Sequence, residues 1–192
     1  MMLNRMLITQ ASGTSISSRV AIVQLGKAAG KKMIGLVDTD EKVEFVLANG
    51  GDGAVNNTSE DVTEAVRRLT GGAGVDLILD SIGGAKFADH FDRLAPFGLI
   101  VSYGQLDGTP QGDVLGAMTR RMGDSLGLRM FSMHMFDEDR ERRRTATEKL
   151  IDLVAAGSIQ PVISVRLPLA QAGRAHAMME SGEILGKLVL KP

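Results

Sequence analysis

Apolar runs and helical periodicity alternate along most of the chain, and this alternation is the strongest structural signal in the sequence. Short apolar runs predict six strands, over Met6–Thr9, Lys32–Val37, Asp52–Asn56, Val75–Asp80, Leu99–Tyr103 and Leu126–Met133. Helical spacing of apolar residues follows each strand, over Arg19–Ala29, Asp40–Asn49, Val62–Leu69, Phe87–Leu94, Val114–Met122 and Asp137–Ala156. Strands separated by helices need crossover connections, so the pattern predicts an α/β fold: a doubly wound parallel sheet of about six strands with helices on both faces.

The pattern changes near the C-terminus, where the elements become shorter. A strand is predicted over Val162–Leu167, a helix over Ala170–Ser181 and a strand over Lys187–Leu190. We therefore expect a main domain over residues 1–158 and a C-terminal segment over residues 159–192, which forms a strand–helix–strand tail.

Shorter signals refine this outline. Thr58 and Asp61 match a capping box before the third helix. The run Gly71–Gly74 precedes a strand, which indicates an ordinary loop at the wrong edge for phosphate binding. Residues 139–144 mix acids and arginines and predict a solvated helix face. The last long helix has a predicted apolar face, made of Ala146, Leu150, Leu153 and Val154, and the methionines are expected to fill the core.

Composition excludes several classes of function. The formal net charge is −1, so the chain has no basic excess with which to neutralise nucleic-acid phosphates. There is no cysteine, which excludes disulfides, thiolate nucleophiles and cysteine-ligated zinc. No apolar run approaches the ~20 residues that span a bilayer, and the N-terminus lacks the pattern of a signal peptide. We therefore expect a cytoplasmic protein without membrane or nucleic-acid partners.

The three histidines give no sign of a metal site. His90, His134 and His176 share no helical spacing with carboxylates, so the sequence predicts no metal ligands. His90 is expected on a helix surface, and His134 follows the sixth strand, where it either lines a pocket or has a structural role. No serine–histidine–aspartate or paired-carboxylate arrangement stands out by spacing.

Candidate binding residues lie directly after the predicted strands. In an open parallel sheet, ligands bind at the carboxyl ends of the strands, where the strand order reverses. The segments at this edge are Ala11–Ser17, Asp38–Thr39, Ser81–Gly83, Tyr103–Gln105 and Phe131–Met133.

The first of these turns leaves two interpretations open. A strand, a turn and a helix N-terminus together offer backbone amides to a pyrophosphate. The usual G-x-G-x-x-G pattern is absent, because Gly13 is the only glycine between Thr9 and Gly26. Hydroxyl groups of Ser12, Thr14, Ser15 and Ser17 are present instead. The turn either binds a dinucleotide or is a plain connection with a serine-rich cap.

The end of the second strand is equally open. Asp38 is placed to accept hydrogen bonds from an adenosine ribose and to repel a 2′-phosphate, or else to cap the next helix. Lys42 is placed to favour a 2′-phosphate, or else to be a solvated surface residue. NAD and NADP therefore remain alternatives.

Taken together, several segments resemble a known family. They occur in order and at compatible spacing, at Val23–Gly30, Asp40–Lys42, Ser59–Val62, Thr70–Asp76, Leu79–Gly84, Leu94–Gly98, Val101–Gly104 and Glu183–Leu190. The chain resembles the cofactor-binding half of the zinc-independent medium-chain dehydrogenase/reductases, in their quinone oxidoreductase and enoyl reductase branch. The resemblance covers nearly the whole chain.

The resemblance implies a Rossmann-type domain of an NAD(P)H-dependent oxidoreductase that transfers hydride to a quinone or an activated alkene without zinc. It implies that the pyrophosphate lies against Ala11, Ser12, Gly13, Thr14, Ser15 and Ser17, and the adenosine ribose against Asp38, Thr39 and Lys42. It places Ser81, Ile82, Gly83, Tyr103, Gly104, Phe131, Ser132 and Met133 further along, toward the nicotinamide. It also implies a homodimer through the sixth strand, Leu126–Met133. No catalytic residue is assigned, because positioning alone can support hydride transfer.

The sequence departs from the family pattern in ways that favour a second hypothesis. The glycine-rich turn is remodelled, and Asn57 stands where many relatives carry a tyrosine. Met1 lies close to the first strand, so we expect the family's N-terminal barrel-like domain to be missing, although the strand Lys187–Leu190 normally pairs within it. The alternative function is a non-catalytic binding or dimerisation module that has lost the cofactor.

Overall fold

A computed structural model describes residues 4–8, 17–182 and 184–192. The strands in these ranges are β1 Arg5–Ile8, β2 Lys32–Val37, β3 Gly53–Asn56, β4 Val75–Asp80, β5 Leu94–Ser102, β6 Gly127–Met130, β7 Ile163–Pro168 and β8 Lys187–Lys191. The α-helices are α1 Ser17–Ala28, α2 Asp40–Ala48, α3 Val62–Thr70, α4 Val114–Arg120, α5 Arg140–Ala155 and α6 Ala172–Glu180. Short 3₁₀ turns occupy Phe87–Arg93, Met122–Asp124, Met133–Phe136 and Leu169–Gln171.

The main sheet is parallel throughout and has the strand order β3-β2-β1-β4-β5-β6. The chain winds outward from β1 to β3, then crosses back to β4 and winds outward again to β6. The order therefore reverses between β1 and β4, which creates a crevice outside their carboxyl ends. This confirms the predicted doubly wound, Rossmann-type architecture. A separate parallel pair, β7 and β8, confirms the predicted tail.

The sheet is covered by apolar side chains on both faces, as helices on both sides require. Leu7 and Ile8, adjacent in β1, belong to different core clusters. One cluster joins Leu7 to Ile78, Ile100, Phe87 and Phe91. The other joins Ile8 to Val20 and Val23 of α1, Met33 and Val37 of β2, and Val46 of α2. Side chains that alternate across a strand produce this two-sided core.

Asp61 is the N-cap of α3, and its side chain accepts a hydrogen bond from the amide of Glu64. The predicted capping box is therefore wrong about Thr58, whose hydroxyl donates to Asn56 at 2.7 Å. Gly71 ends α3 in the left-handed conformation, at φ 60°. The run Gly71–Gly74 is an ordinary loop before β4, as predicted.

The fifth strand begins earlier than predicted and contains Pro96. Val75 pairs with Leu94 and Leu77 with Leu99, so the intervening residues of β5 bulge out of the ladder. The bulge tolerates Pro96, and it holds Phe97 at φ 62°. The segment predicted as a helix before it, Phe87–Leu94, is a 3₁₀ helix that ends at Arg93.

The predicted apolar face of the long helix is largely exposed. In α5, Leu150 and Val154 are exposed, and so is Ile151 beside them. Several methionines that were expected to fill the core are also exposed, at positions 122, 130, 133, 135 and 179. The charged stretch of residues 139–144 is solvated, as predicted.

The tail contacts the main domain through α1. The side-chain amide of Gln24 donates to the carbonyl of Gln160 at 3.1 Å, and its oxygen accepts from the Gln160 amide at 3.0 Å. Val162 and Leu185 pack against the core cluster beneath α1. Within the described residues, no helix is both long and apolar enough to cross a membrane.

Candidate functional site

The strand register brings most of the predicted binding segments to one edge of the sheet. Val37 lies beside Asn56, Asp80 beside Ser102, and Ser102 beside Met130. Asp38, Ser81, Tyr103 and Phe131 therefore follow neighbouring strands at the same edge. The predicted pyrophosphate turn is the exception: Ala11, Ser12, Gly13, Thr14 and Ser15 lie outside the described residues, and Ser17 is the first residue of α1.

Two of these loops are joined by backbone hydrogen bonds. The amide of Leu106 donates to the carbonyl of Ser81 at 3.2 Å, and that of Asp107 to Ile82 at 2.9 Å. Gly83 has φ 69°, and a Cβ atom there would clash with the carbonyl oxygen of Gly108. The loops after β4 and β5 therefore form one tightly packed surface at the crevice.

A buried aspartate fixes the first of these loops from below. Asp80 closes β4 and is fully buried. Its Oδ1 accepts hydrogen bonds from the amides of Ile82, at 3.2 Å, and Gly83, at 2.9 Å. Its Oδ2 lies 3.2 Å from Nε2 of His90. The carboxylate thus ties the loop to the 3₁₀ turn of Phe87–Arg93.

His90 is buried, so the prediction that it lies on a helix surface is wrong. Nη1 of Arg93 lies 3.0 Å from its Nδ1. A guanidinium only donates hydrogen bonds, so Nδ1 accepts and the proton of the neutral ring is on Nε2. Nε2 therefore donates to Asp80. The Phe87 and His90 rings meet in a T-shaped arrangement, with centroids 5.5 Å apart, because residues three apart lie on the same side of a 3₁₀ helix.

Arg93 completes this buried network. Its Nε donates to the hydroxyl of Thr63 on α3 at 3.3 Å. Burial lowers the pKa of Arg93, and the charges of Asp89, Asp61 and Asp92 oppose that shift. Sequence reasoning assigned no role to Asp80, His90 or Arg93. The available signal was an aspartate at the end of a buried apolar strand, where a carboxylate needs donors.

Asp38 and Lys42 form a buried ion pair at the end of β2. Nζ of Lys42 donates to Oδ1 of Asp38 at 2.7 Å, and their side chains are 5% and 8% exposed, respectively. The interpretation of Lys42 as a solvated surface residue is therefore wrong. Thr39, not Asp38, is the N-cap of α2, since its hydroxyl accepts from the Lys42 amide at 3.2 Å.

Hydrogen bonds from residues at the end of β3 support the surroundings of this pair. The hydroxyl of Thr58 contacts the carbonyl of Asp38 at 3.3 Å. The side-chain amide of Asn56 donates to Asp40 at 2.7 Å. Asn57 follows at the end of β3, with its amide bonded to the carbonyl of Val37. These contacts hold the backbone around Asp38 in place.

The segments after β5 and β6, at the other end of this sheet edge, are more exposed to solvent. The amide of Phe131 donates to the carbonyl of Ser102 at 2.8 Å, which extends the β6 pairing. Phe131, Ser132 and Met133 are exposed. His134 is exposed too, and its Nδ1 lies 3.0 Å from Oδ2 of Asp137. Tyr103 and Gly104 are half-buried beside Ser81. Across the described ranges, no three histidine or carboxylate side chains gather in a way that could hold a metal ion.

Comparison with known proteins gives a consistent result. A family model described as zinc-binding dehydrogenase matches residues 49–190. Quinone oxidoreductase 1 of Escherichia coli (strain K12) is 33% identical over 171 residues, which cover 88% of this chain and 52% of the relative. The 2-haloacrylate reductase of Burkholderia sp is 30% identical over 177 residues, 89% of this chain and 51% of the relative. The chain thus spans about half the length of the curated relatives it matches.

The fold comparison agrees. The crystal structure of Escherichia coli quinone oxidoreductase complexed with NADPH superposes with a TM-score of 0.84 and 30% identity, over 98% of this chain and 57% of that one.

Proposed function

The chain belongs to the zinc-binding dehydrogenase family, in its quinone oxidoreductase-like branch, and from that premise we propose that it binds NAD(P)H at the carboxyl edge of its sheet and serves as the cofactor-binding part of an oxidoreductase. The reaction is hydride transfer to a quinone or an activated alkene. The observation that carries the proposal is the reversal of strand order between β1 and β4, with candidate binding residues along the same edge.

The donors and acceptors at this edge suit a dinucleotide. The carboxylate of Asp38 at the end of β2 is the kind of acceptor that holds ribose hydroxyls. Ser81 places a largely buried hydroxyl group at the end of β4, and Ile82 and Tyr103 offer half-buried apolar surface beside it. Polar groups at one end and apolar groups at the other match the polarity of adenosine ribose and nicotinamide.

In this proposal the chain positions the cofactor rather than exchanging protons with the substrate. The nicotinamide supplies the hydride when bound. Asp38, Thr39 and Lys42 surround the ribose, the turn containing Ala11–Ser17 receives the pyrophosphate, and the remaining predicted residues face the nicotinamide, namely Ser81, Ile82, Gly83, Tyr103, Gly104, Phe131, Ser132 and Met133. Asp80 holds the amides of Ile82 and Gly83, so this part of the surface is formed before the ligand arrives.

We further propose that this part of the protein holds no zinc, since the sequence has no cysteine and its histidines are scattered. The substrate is a small quinone or enone-like molecule, in keeping with the names of the two relatives. Residues 1–158 form the dinucleotide-binding domain, and residues 159–192 belong to a catalytic domain. A cytoplasmic location stays a prediction from the sequence.

Direct titration tests the binding step. We expect NADH or NADPH to bind the chain with a dissociation constant below 1 mM, measured by calorimetry and by nicotinamide fluorescence. Absence of binding by either nucleotide at about that concentration would contradict the proposal and support the non-catalytic module. A parallel assay follows NAD(P)H oxidation with a quinone and with an enone. Binding without oxidation of the reduced nucleotide would reject the reductase step for this chain alone.

We also propose that two copies associate through β6. This strand is the last in the sheet order, so its outer edge is unpaired within the described chain. Exposed methionines surround it, at positions 122, 130, 133 and 135. Methionine side chains adapt readily to apolar partners, and an edge strand offers backbone groups for pairing, so the two features together suit self-association.

A further inference from the structure

We infer that the Asp38–Lys42 pair makes this chain selective for NAD(H) over NADP(H). The inference rests on the proposed function, because it concerns the adenosine end of the same site. The two cofactors differ only in the 2′-phosphate of that ribose, so the residues after β2 and β3 decide between them.

The charge of Lys42 is already compensated. Its ammonium group lies 2.7 Å from Oδ1 of Asp38, and both side chains are almost completely buried. A buried pair of this kind is held by mutual attraction and by fixed geometry, so separating the two charges costs free energy. Lys42 therefore contributes little net positive charge to a ligand in the crevice.

The surroundings of the pair are acidic. Residues 38–61 contain a single basic residue, Lys42. At the ends of β2 and β3 the same stretch places acidic residues, namely Asp38, Asp40, Glu41, Glu60 and Asp61. Arg68, on α3, pairs with Glu60 at 2.9 Å, so its charge is compensated as well. The turn of residues 9–18 has neither lysine nor arginine, and Arg19 follows in the first turn of α1.

A 2′-phosphate is poorly matched to this environment. A phosphate monoester carries about −1.5 to −2 charge near neutral pH. Beside the Asp38–Lys42 pair, whose two charges compensate each other, it would find no excess positive charge to offset its own, which disfavours binding. The ribose hydroxyls of NAD(H) instead donate hydrogen bonds to a carboxylate, and charge-assisted hydrogen bonds of this type are strong.

The experiment measures the dissociation constants of NADH and NADPH for the full chain and for two variants. We expect the unmodified chain to bind NADH at least ~10-fold more tightly than NADPH. In Asp38→Asn the negative charge is gone and Lys42 is released, so the preference should fall by about 10-fold or reverse.

The control is Asp52→Asn. Asp52 also pairs with a lysine, Lys27, at 2.8 Å, but it lies at the opposite edge of the sheet, before β3. This variant removes the same charge, so it should keep the preference of the unmodified chain. Circular dichroism melts establish that both variants are folded.

The unmodified chain gives a test that depends on no variant. Adenosine 5′-diphosphate should compete with NADH more strongly than adenosine 2′,5′-diphosphate. Equal or tighter binding of NADPH by the unmodified chain would overturn the inference and leave the proposed function standing. Failure of both nucleotides to bind would instead count against the proposed function.

Discussion

At the scale of single residues, the most informative feature of this structure is a set of buried polar groups joined by hydrogen bonds. His90 accepts from Arg93 and donates to Asp80, and Asp80 holds the loop after β4. His90, neutral and held in one tautomer, therefore links the buried guanidinium of Arg93, through Asp80, to the candidate binding loop after β4. The sequence contains all three residues, but their spacing of ten and three positions matches no known pattern of a site.

Replacing His90 should destabilise the chain. In His90→Leu, the buried Arg93 loses one acceptor and the carboxylate of Asp80 loses one donor, which costs about 2–4 kcal/mol of unfolding free energy. Urea unfolding followed by circular dichroism measures the change. His134→Leu is the matched control. Because His134 is exposed, its replacement should shift the urea midpoint of unfolding little. Similar losses in the two variants would contradict the buried role of His90.

Acid should weaken the fold through Asp76. Burial alone would raise the pKa of Asp76, but hydrogen bonds from the side chain and amide of Arg5 and from the amide of Asn4 outweigh it and hold the pKa below its usual range. A group with a lowered pKa in the folded state stabilises it fully above the unfolded pKa of about 3.9, and that contribution disappears as the pH falls through the folded pKa.

We therefore expect the unfolding free energy to fall as the pH drops below about 5. Asp76→Asn should reduce this slope, and its stability at neutral pH should be lower by roughly 1.5–3 kcal/mol, the range for hydrogen bonds to a charged group. Denaturant titrations from neutral pH to pH 3 measure both effects. Asp152→Asn, at an exposed position of α5, should keep the slope of the unmodified chain.

At the scale of elements, the alternation of strands and helices was predictable because it rests on local periodicity. β2 and β4 begin and end where their apolar runs do. The start of β5 was not predictable, since it depends on a bulge against β4 that no local pattern encodes. The apolar face of α5 was predicted, but its exposure was not predictable for a related reason: periodicity identifies a face, but it does not say what covers that face.

The loop after β4 should be sensitive to a single methyl group. Gly83 and Gly71 both have positive φ, but only Gly83 lies against a backbone carbonyl, that of Gly108. Gly71→Ala should cost about 1 kcal/mol from backbone strain alone. Gly83→Ala should cost more, because the loops after β4 and β5 must separate, and it should weaken NADH binding. Thermal melts and calorimetric titrations of both variants test this. Equal effects in the two variants would show that the loop contact is unimportant.

At the scale of the whole molecule, the proposed association through β6 has a simple test. Met130→Lys places a charge on the edge strand, which opposes pairing of sheet edges. We expect the unmodified chain to sediment as a dimer and this variant as a monomer in analytical ultracentrifugation. Met179→Lys is the control, because Met130 and Met179 are similarly exposed, at 55% and 49%, but Met179 lies on α6. A monomeric unmodified chain, or a dimer unaffected by Met130→Lys, would reject this interface.

The parallel direction of all the strands in the main sheet has a consequence for such a pair. A twofold axis brings an edge strand against its own copy in antiparallel orientation. The two sheets would then continue into one another with their strand directions reversed, so their carboxyl edges would point to opposite ends of the joint sheet. Two nucleotides bound at these edges would lie at opposite ends of the dimer. Each site would therefore receive its substrate from solvent independently of the other.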